Sequence, residues 1–348
     1  KASAPALAAA GADAVSINVG WNEAQVPQIV AKVPRGVFAY MARDIKKQVA
    51  VPIIAGHRIN DPQTARRLLN EGFCDLVAVG RALIADPRFP EKVAAGHDDR
   101  IVHCVACAQG CFDHIFKNKA VECLCNPRAG HEDEEMDPVA VPKQVMVVGG
   151  GAAGMFAAIA AAEKGHRVTL HEAGLRLGGQ LRLAGRPPGR EEFLILADDL
   201  ERQVAAAGVE VRMHSSVDRR LLDRQRPDVL ILATGGEPIV PPIPGVDLPH
   251  VVQAWDILAG VRPAGRTVAV LGGGAVGVET ALLLAEEGTL SGDELKFLLV
   301  HGAEKPEELL RLATAHDREI HLIEMTGAIG ANFGKTTRWG MLQDVERY

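Results

Sequence analysis

The sequence predicts an α/β protein built on parallel sheets, and three observations carry that expectation. Short apolar runs alternate with helical stretches, the pattern of buried strands joined by crossover helices. A strand, a G-x-G-x-x-G turn and a helix occur twice, at Gly149–Gly154 and at Gly272–Gly277. Five of the six cysteines fall within "CVACAQGCFDHIFKNKAVECLC", residues 104–125, between the first strands and the first glycine turn.

Composition sets the outer limits. A chain of 348 residues has room for two or three domains. With 47% hydrophobic and 24% charged residues it can bury an ordinary core. Aromatic residues are only 4%, and Ala and Gly abound, which suits close packing of helix on sheet. The net charge of -6 argues against a nucleic-acid or membrane-surface partner. No apolar run is long enough to span a bilayer. The start "KASAPALAAAGADAV" has a signal-peptide flavour, but a helix ending near Gly11 and then a strand is the better reading. A cytoplasmic location is therefore expected.

In chain order, the first region runs from residue 1 to about 100. Strands are expected at "DAVSINVG" (13–20), "VPIIAG" (51–56) and "DLVAVG" (75–80). The intervening "DPQTARRLLNEG" is a helix with Asp61 as N-cap, Pro62 at its first position and Gly72 closing it. Three such strands cannot close a barrel or cover both faces of a sheet. The cysteine segment follows, and then "HEDEEMDPVAVP", a charged connector. The third region opens at 143–173 with strand, glycine turn, Ala-rich helix and strand. "EEFLILADDLERQVAAAGVEVRM" adds a helix and a strand, and "PDVLILATGG" another strand. The fourth starts near 245 and repeats the plan with "RTVAVLGGGAVGVETALLLAEEG", the helix "PEELLRLATA" and the strand "EIHLIEM". This is a duplication of motif and argues for two nucleotide-binding domains.

The cysteines admit two chemistries. A disulfide scaffold does not suit a short segment of a long chain without a convincing secretion signal. Zinc sites usually pair two C-x2-C knuckles or add histidines. Here Cys104, Cys107 and Cys111 form one tight loop, and Cys123 follows at a distance with Cys125 beside it. Three thiolates from one loop and one from afar suit the corners of a [4Fe–4S] cubane, with zinc as the alternative. His103, His114 and His131 are read as non-ligating, and Cys74 as a core residue.

The glycine turns have a specific logic. In the first, Gly149 permits the turn, Gly151 lets a pyrophosphate approach the backbone, and Gly154 packs helix on strand. Glu172 ends the next strand, where a carboxylate accepts the ribose hydroxyls of an adenosine. Gly272, Gly274 and Gly277 repeat the motif. There the matching acid is obscured by an insertion. Glu324 is the candidate, with a solvated strand-end charge as the alternative. An acid at that place favours NADH over NADPH. "GANFGKTT" mimics a phosphate loop but has Ile329 where the first glycine belongs, so it reads as a turn into a helix at 336–347.

With "GWNEAQVPQIVAKVPRG", "HRINDP", "VGRALIADP", "CVACAQGC", "CLCNPRAGHE", "VVGGGAAGM" and "FGKTTRW" in this order, the chain resembles the 2,4-dienoyl-CoA reductase and trimethylamine dehydrogenase family of iron–sulfur flavoenzymes. The resemblance implies the C-terminal part of an FMN-binding TIM barrel (1–100), then a [4Fe–4S] segment and linker (101–140). Two Rossmann-like, disulfide-reductase-like domains follow: an incomplete one for FAD (141–245) and one for NAD(H) (246–348). It implies Cys104, Cys107, Cys111 and Cys123 as cluster ligands, leaving Cys125 a neighbour. It implies Gly56, Arg58, Gly80 and Arg81 around the FMN phosphate, where barrels hold phosphate after their last strands. Gly178, Gly179, Gln180, Thr234 and Gly235 would help to seat FAD.

Two departures bear on activity. Dienoyl-CoA reductases carry histidine where this chain has Asn22 in "GWNEA". An amide can polarise a carbonyl but does not shuttle a proton at neutral pH. NADPH-using relatives place basic residues after the strand that here ends Glu324-Met325-Thr326; no basic group is present here, which favours NADH. By the same comparison the chain enters the barrel near strand six, so the native polypeptide is expected to extend beyond both ends. The activity implied is electron flow from NADH through FAD and [4Fe–4S] to FMN, and on to an enoate or enoyl-CoA. The alternatives are an amine dehydrogenase running electrons outward and a non-catalytic NADH-dependent electron-transfer subunit. The partner expected is a small molecule; a homo-oligomer or a redox partner subunit stays open.

Overall fold

The computed structural model describes residues 3–20, 24–134 and 137–348. Asn22 lies outside the described residues. Two compact units emerge, one of Lys1–Arg182 with Glu192–Gly235 and one of Leu183–Glu191 with Gly236–Tyr348.

The first unit contains two all-parallel sheets. In the smaller, β1 (Val15–Ile17), β2 (Ile53–Ala55) and β3 (Leu76–Val77) lie in the order β1-β2-β3. Val15 pairs with Ile53 and Ile54 with Leu76. The strands are shorter than their apolar runs because the ladder ends where each run turns into a loop. Those loops carry Gly56 and Gly80. The helix Pro62–Asn70 begins as its sequence dictates: the Asp61 carboxylate accepts the Thr64 N–H at 2.7 Å, and Pro62 needs no partner for a missing N–H. Ile53, Ala55, Leu68 and Cys74 share one core cluster, and burial pushes the Cys74 thiol up.

The larger sheet comprises β4 (Gln144–Val148), β5 (Arg167–His171), β6 (Glu210–Arg212) and β7 (Val229–Leu232), in the order β6-β5-β4-β7. The order reverses between β4 and β7, which opens a crevice at the carboxyl ends of those strands. The helix Ala152–Glu163, rich in Ala, approaches the sheet closely and packs on the helix Glu192–Ala206. That second helix also ties the larger sheet to the rest of the unit. Glu192, at its start, receives Arg58 at 2.5 Å and a two-pronged contact from Arg35. Two turns on, the fully buried Asp199 accepts the His103 N–H at 2.8 Å and meets its ring nitrogen at 2.9 Å.

The second unit has a two-stranded parallel sheet of β8 (Thr267–Leu271) and β9 (Glu319–Ile323). The helices Ala275–Glu286, Gly292–His301 and Pro306–Thr314 intervene. The middle one escaped the sequence reading, although its signals are legible. Ser291 and Glu294 form a complete capping box, and Gly302 closes the helix at φ 63°. The final helix, Lys335–Arg347, begins after Gly334, so "GANFGKTT" does lead into a helix. Among the described residues no helix is long and apolar enough to cross a membrane.

Candidate functional site

The first glycine turn sits at the carboxyl end of β4. Gly149 has φ 106°, and a side chain there would collide with the Ala233 carbonyl. A side chain at Gly154 would collide with the Gly149 carbonyl oxygen. The fold itself therefore demands the outer two glycines. Gly151 differs, since an added Cβ would meet nothing within 4 Å. Space on that side is what an approaching pyrophosphate needs. Glu172 is held from both ends: one carboxylate oxygen accepts the Gly150 N–H at 2.6 Å and the other the Gly174 N–H at 2.6 Å. The loop through Gly178 and Gly179 folds back on the turn, with the Gly178 N–H donating to the Gly150 carbonyl at 2.8 Å. Gly235, at φ 77°, comes up beside Gln180. Thus Gly149, Gly151, Gly154, Glu172, Gly179, Gln180, Thr234 and Gly235 gather at one crevice.

The second turn reproduces this geometry. Gly272 has φ 105°, a side chain at Gly277 would collide with the Gly272 carbonyl, and Gly274 again faces nothing within 4 Å. Leu271 pairs with Ile323, so the next residue, Glu324, occupies the place that Glu172 takes after the Val148–His171 pair. Its carboxylate accepts the Gly273 N–H at 2.7 Å and the Thr326 N–H at 2.7 Å, and those two bonds hold its pKa below the usual range. Even the return loop is matched. Gly330 N–H donates to the Gly273 carbonyl at 2.8 Å, as Gly178 does to Gly150. The sequence reading placed Glu324 across an insertion but missed Gly330, because its counterpart is visible only through that hydrogen bond.

The cysteines lie in the first unit. Cys104, Cys107, Cys111, Cys123 and Cys125 all line one cavity, part of it open to solvent, together with Arg81. Their loop is bent by Ala106 at φ 51° and Ala108 at φ 58°, a left-handed conformation that costs an Ala about 1–3 kcal/mol. The bends turn amides inward, and the Ala106 N–H reaches the Cys104 sulfur at 3.4 Å. Alternating bends of this kind form concave anion sites. The second arm is pinned by Glu122 N–H to the Gly110 carbonyl at 2.8 Å, with no room for a side chain on Gly110. Burial raises the Cys104 and Cys111 thiols and takes Cys107 up to about 11. Cys123 is lowered to about 7, because the Cys125 thiol hydrogen-bonds to it, while Cys125 rises. Among the described residues no three His, Cys, Asp or Glu side chains stand ready around a single metal ion.

Gly56 and Gly80 follow β2 and β3 on the same side of the small sheet. A side chain on Gly80 would meet nothing within 4 Å, leaving room that a ligand could take. His57 (φ 65°) and Arg58 (φ 52°) are both left-handed, a strained turn missed at the sequence level. That turn buries Arg58. Its guanidinium donates to the Val33 carbonyl at 2.9 Å and pairs with Glu192, so its charge is already balanced. Arg81 is different: its Nη1 is buried without a hydrogen-bond partner.

The comparisons with known proteins agree with this anatomy. Residues 3–100 match the NADH:flavin oxidoreductase / NADH oxidase family, and residues 143–342 match the pyridine nucleotide-disulphide oxidoreductases. The chain belongs to the family of flavin-linked oxidoreductases that joins these two modules, as its motifs indicated. It is 44% identical over 348 residues to a metal reductase of Desulforamulus reducens, covering 99% of this chain and 52% of that one. An NADH oxidase of Thermoanaerobacter brockii is 42% identical over 81% of this chain and 44% of its own. Among solved structures, 2-naphthoyl-CoA reductase with 2-naphthoyl-CoA superposes with a TM-score of 0.79 at 32% identity, covering 91% of this chain and 49% of that one. The chain spans about half the length of the curated relatives it matches.

Proposed function

We propose that this chain is the electron-carrying part of an iron–sulfur flavoprotein that uses NADH to reduce an activated C=C bond of enoate or enoyl-thioester type. Residues 1–100 would contribute to FMN binding, 101–140 hold [4Fe–4S] and a linker, 141–245 hold FAD and 246–348 hold NADH. The observation that carries the reading is the cavity lined by five cysteines, in the same unit as a dinucleotide turn whose middle glycine has no packing reason to be glycine. When bound, the nicotinamide and flavins supply two-electron chemistry and the cluster moves electrons singly.

The chain's own residues have definite tasks in this scheme. Gly151 and Gly274 leave the backbone open to a pyrophosphate. Glu172 and Glu324, each fixed by two backbone N–H groups, present carboxylate to a ribose. At Glu324 that charge disfavours a 2′-phosphate, hence NADH. Cys104, Cys107, Cys111 and Cys123 would ligate iron, with the Cys125 thiol donating to Cys123. Gly56, Gly80 and Arg81 would receive the FMN phosphate, with Arg58 bracing the loop through Glu192. A substrate of conjugated thioester type has support from the superposition on 2-naphthoyl-CoA reductase.

A second reading, electron delivery to an external acceptor, draws on the metal reductase relative, which aligns over nearly the whole chain. Anaerobic purification of the full-length polypeptide separates the two. The proposal expects FMN, FAD, about four irons per chain and bleaching by NADH. The reduced protein is then offered enoates, enoyl thioesters, amines and chelated metal ions. Zinc without flavin ends the proposal, and turnover of metal ions alone selects the second reading.

A further inference from the structure

We infer that Arg81 serves the cysteine-lined cavity as its fixed positive charge, and so sets the potential at which a cluster held there is reduced. This rests on the iron–sulfur reading above. Two arginines lie near the end of the small sheet, and they are not equivalent. Arg58 is neutralised by Glu192 at 2.5 Å. Arg81 lines the cavity wall itself, beside Cys104 and Cys111. Its guanidinium is stacked over the Phe112 ring, 5.6 Å from the centroid, and Phe112 directly follows Cys111. Nη1 is buried with no hydrogen-bond partner. A buried donor of a charged group is left unpaired only at a cost, and an anion in the cavity would relieve it.

The other charged residue of the wall is Glu122, whose side chain is 69% exposed and lies 3.8 Å from the His114 ring. Solvent screens it, whereas Arg81 lines the cavity with its guanidinium over the Phe112 ring and one nitrogen buried. A fixed positive charge in that wall favours negative charge on the sulfurs that line the cavity with it, Cys104 and Cys111 among them. The same field stabilises an added electron on a cluster ligated by those thiolates. Reduction adds one electron and breaks no bond, so the guanidinium acts purely as an electrostatic positioning charge. Arg81 can contact a flavin phosphate at Gly80 as well; the inference is that its charge is felt on the sulfur side.

The test uses the full-length holoprotein with Arg81→Gln and Arg81→Lys, at saturating FMN. Iron and flavin are quantified, and the midpoint of the cluster is read by anaerobic redox titration with electron paramagnetic resonance. Arg81→Gln is expected to keep its iron and to lower the reduction equilibrium constant by on the order of tenfold, about 59 mV for one electron. Arg81→Lys should keep most of the wild-type value. An unchanged midpoint in Arg81→Gln with iron intact overturns the inference, as does loss of FMN alone. Equal loss of iron from both variants also overturns it, since that assigns Arg81 to packing. Wild type that binds zinc in place of iron fails the underlying reading, and is recognised before any variant is made.

Discussion

Replacing Glu192 by Ala isolates the contact that fastens the helix Glu192–Ala206 to the strained loop after β2. Two arginines converge on this carboxylate, but they would respond differently to its loss. The Arg35 side chain is 22% exposed and has Asp61 at 3.2 Å, so it has a second partner and access to water. The Arg58 side chain is 2% exposed, and its other contacts are carbonyls of Val33 and Ala31. Glu192→Ala therefore strands one buried charge. Breaking a buried pair from one side costs about 3–5 kcal/mol. For a domain of this size each kcal/mol moves the midpoint by about 2–4 °C, so a fall of roughly 6–20 °C is expected. Differential scanning calorimetry of the intact chain measures it. A second variant, Glu192→Leu with Arg58→Met, removes both charges and should recover stability to within about 1–2 kcal/mol of wild type. If Glu192→Ala costs less than about 1 kcal/mol, or the double variant is worse than the single, the buried-charge argument is refuted.

Three further outcomes follow from the geometry. The acid dependence of stability carries the signature of Glu192: burial opposes its charge, but Arg35 and Arg58 prevail and lower its pKa beneath 4.5. A depressed carboxylate contributes stability above its unfolded pKa and loses it as pH falls through the folded one. Urea midpoints should thus drop more for wild type than for Glu192→Gln between about pH 6 and about pH 3. Serine at Cys104, Cys107, Cys111 or Cys123 should abolish iron binding, while Cys125→Ser should retain it; iron and acid-labile sulfide assays decide. Glu324→Ala leaves the Gly273 and Thr326 N–H groups without their acceptor. It should raise KM for NADH about tenfold to a hundredfold, at roughly 1.5–3 kcal/mol for bonds to a charge, and narrow the preference over NADPH. Steady-state kinetics with both nucleotides tests this.

Much of the molecule is written locally. The Asp61 cap depends on residues close in sequence, and the two glycine turns and the terminal acid Glu172 recur at a fixed spacing, so a reading of the sequence finds them. The parallel sheets likewise follow from buried runs separated by helices. What local reading leaves undecided depends on pairing across distance. Glu324 stood across an insertion of unknown structure, and only the register of Leu271 with Ile323 settles where it lies. Arg58 and Arg81 look alike as residues following a strand and a glycine. Which one is neutralised is decided by Glu192, contributed from a helix far along the chain. Cys123 and Cys125 are equally spaced candidates to any count of positions, and the hydrogen bond between them distinguishes donor from acceptor. The physical reason is common to all three. A backbone turn is governed by sterics within a few residues, whereas the charge state of a buried group depends on whatever the fold brings against it.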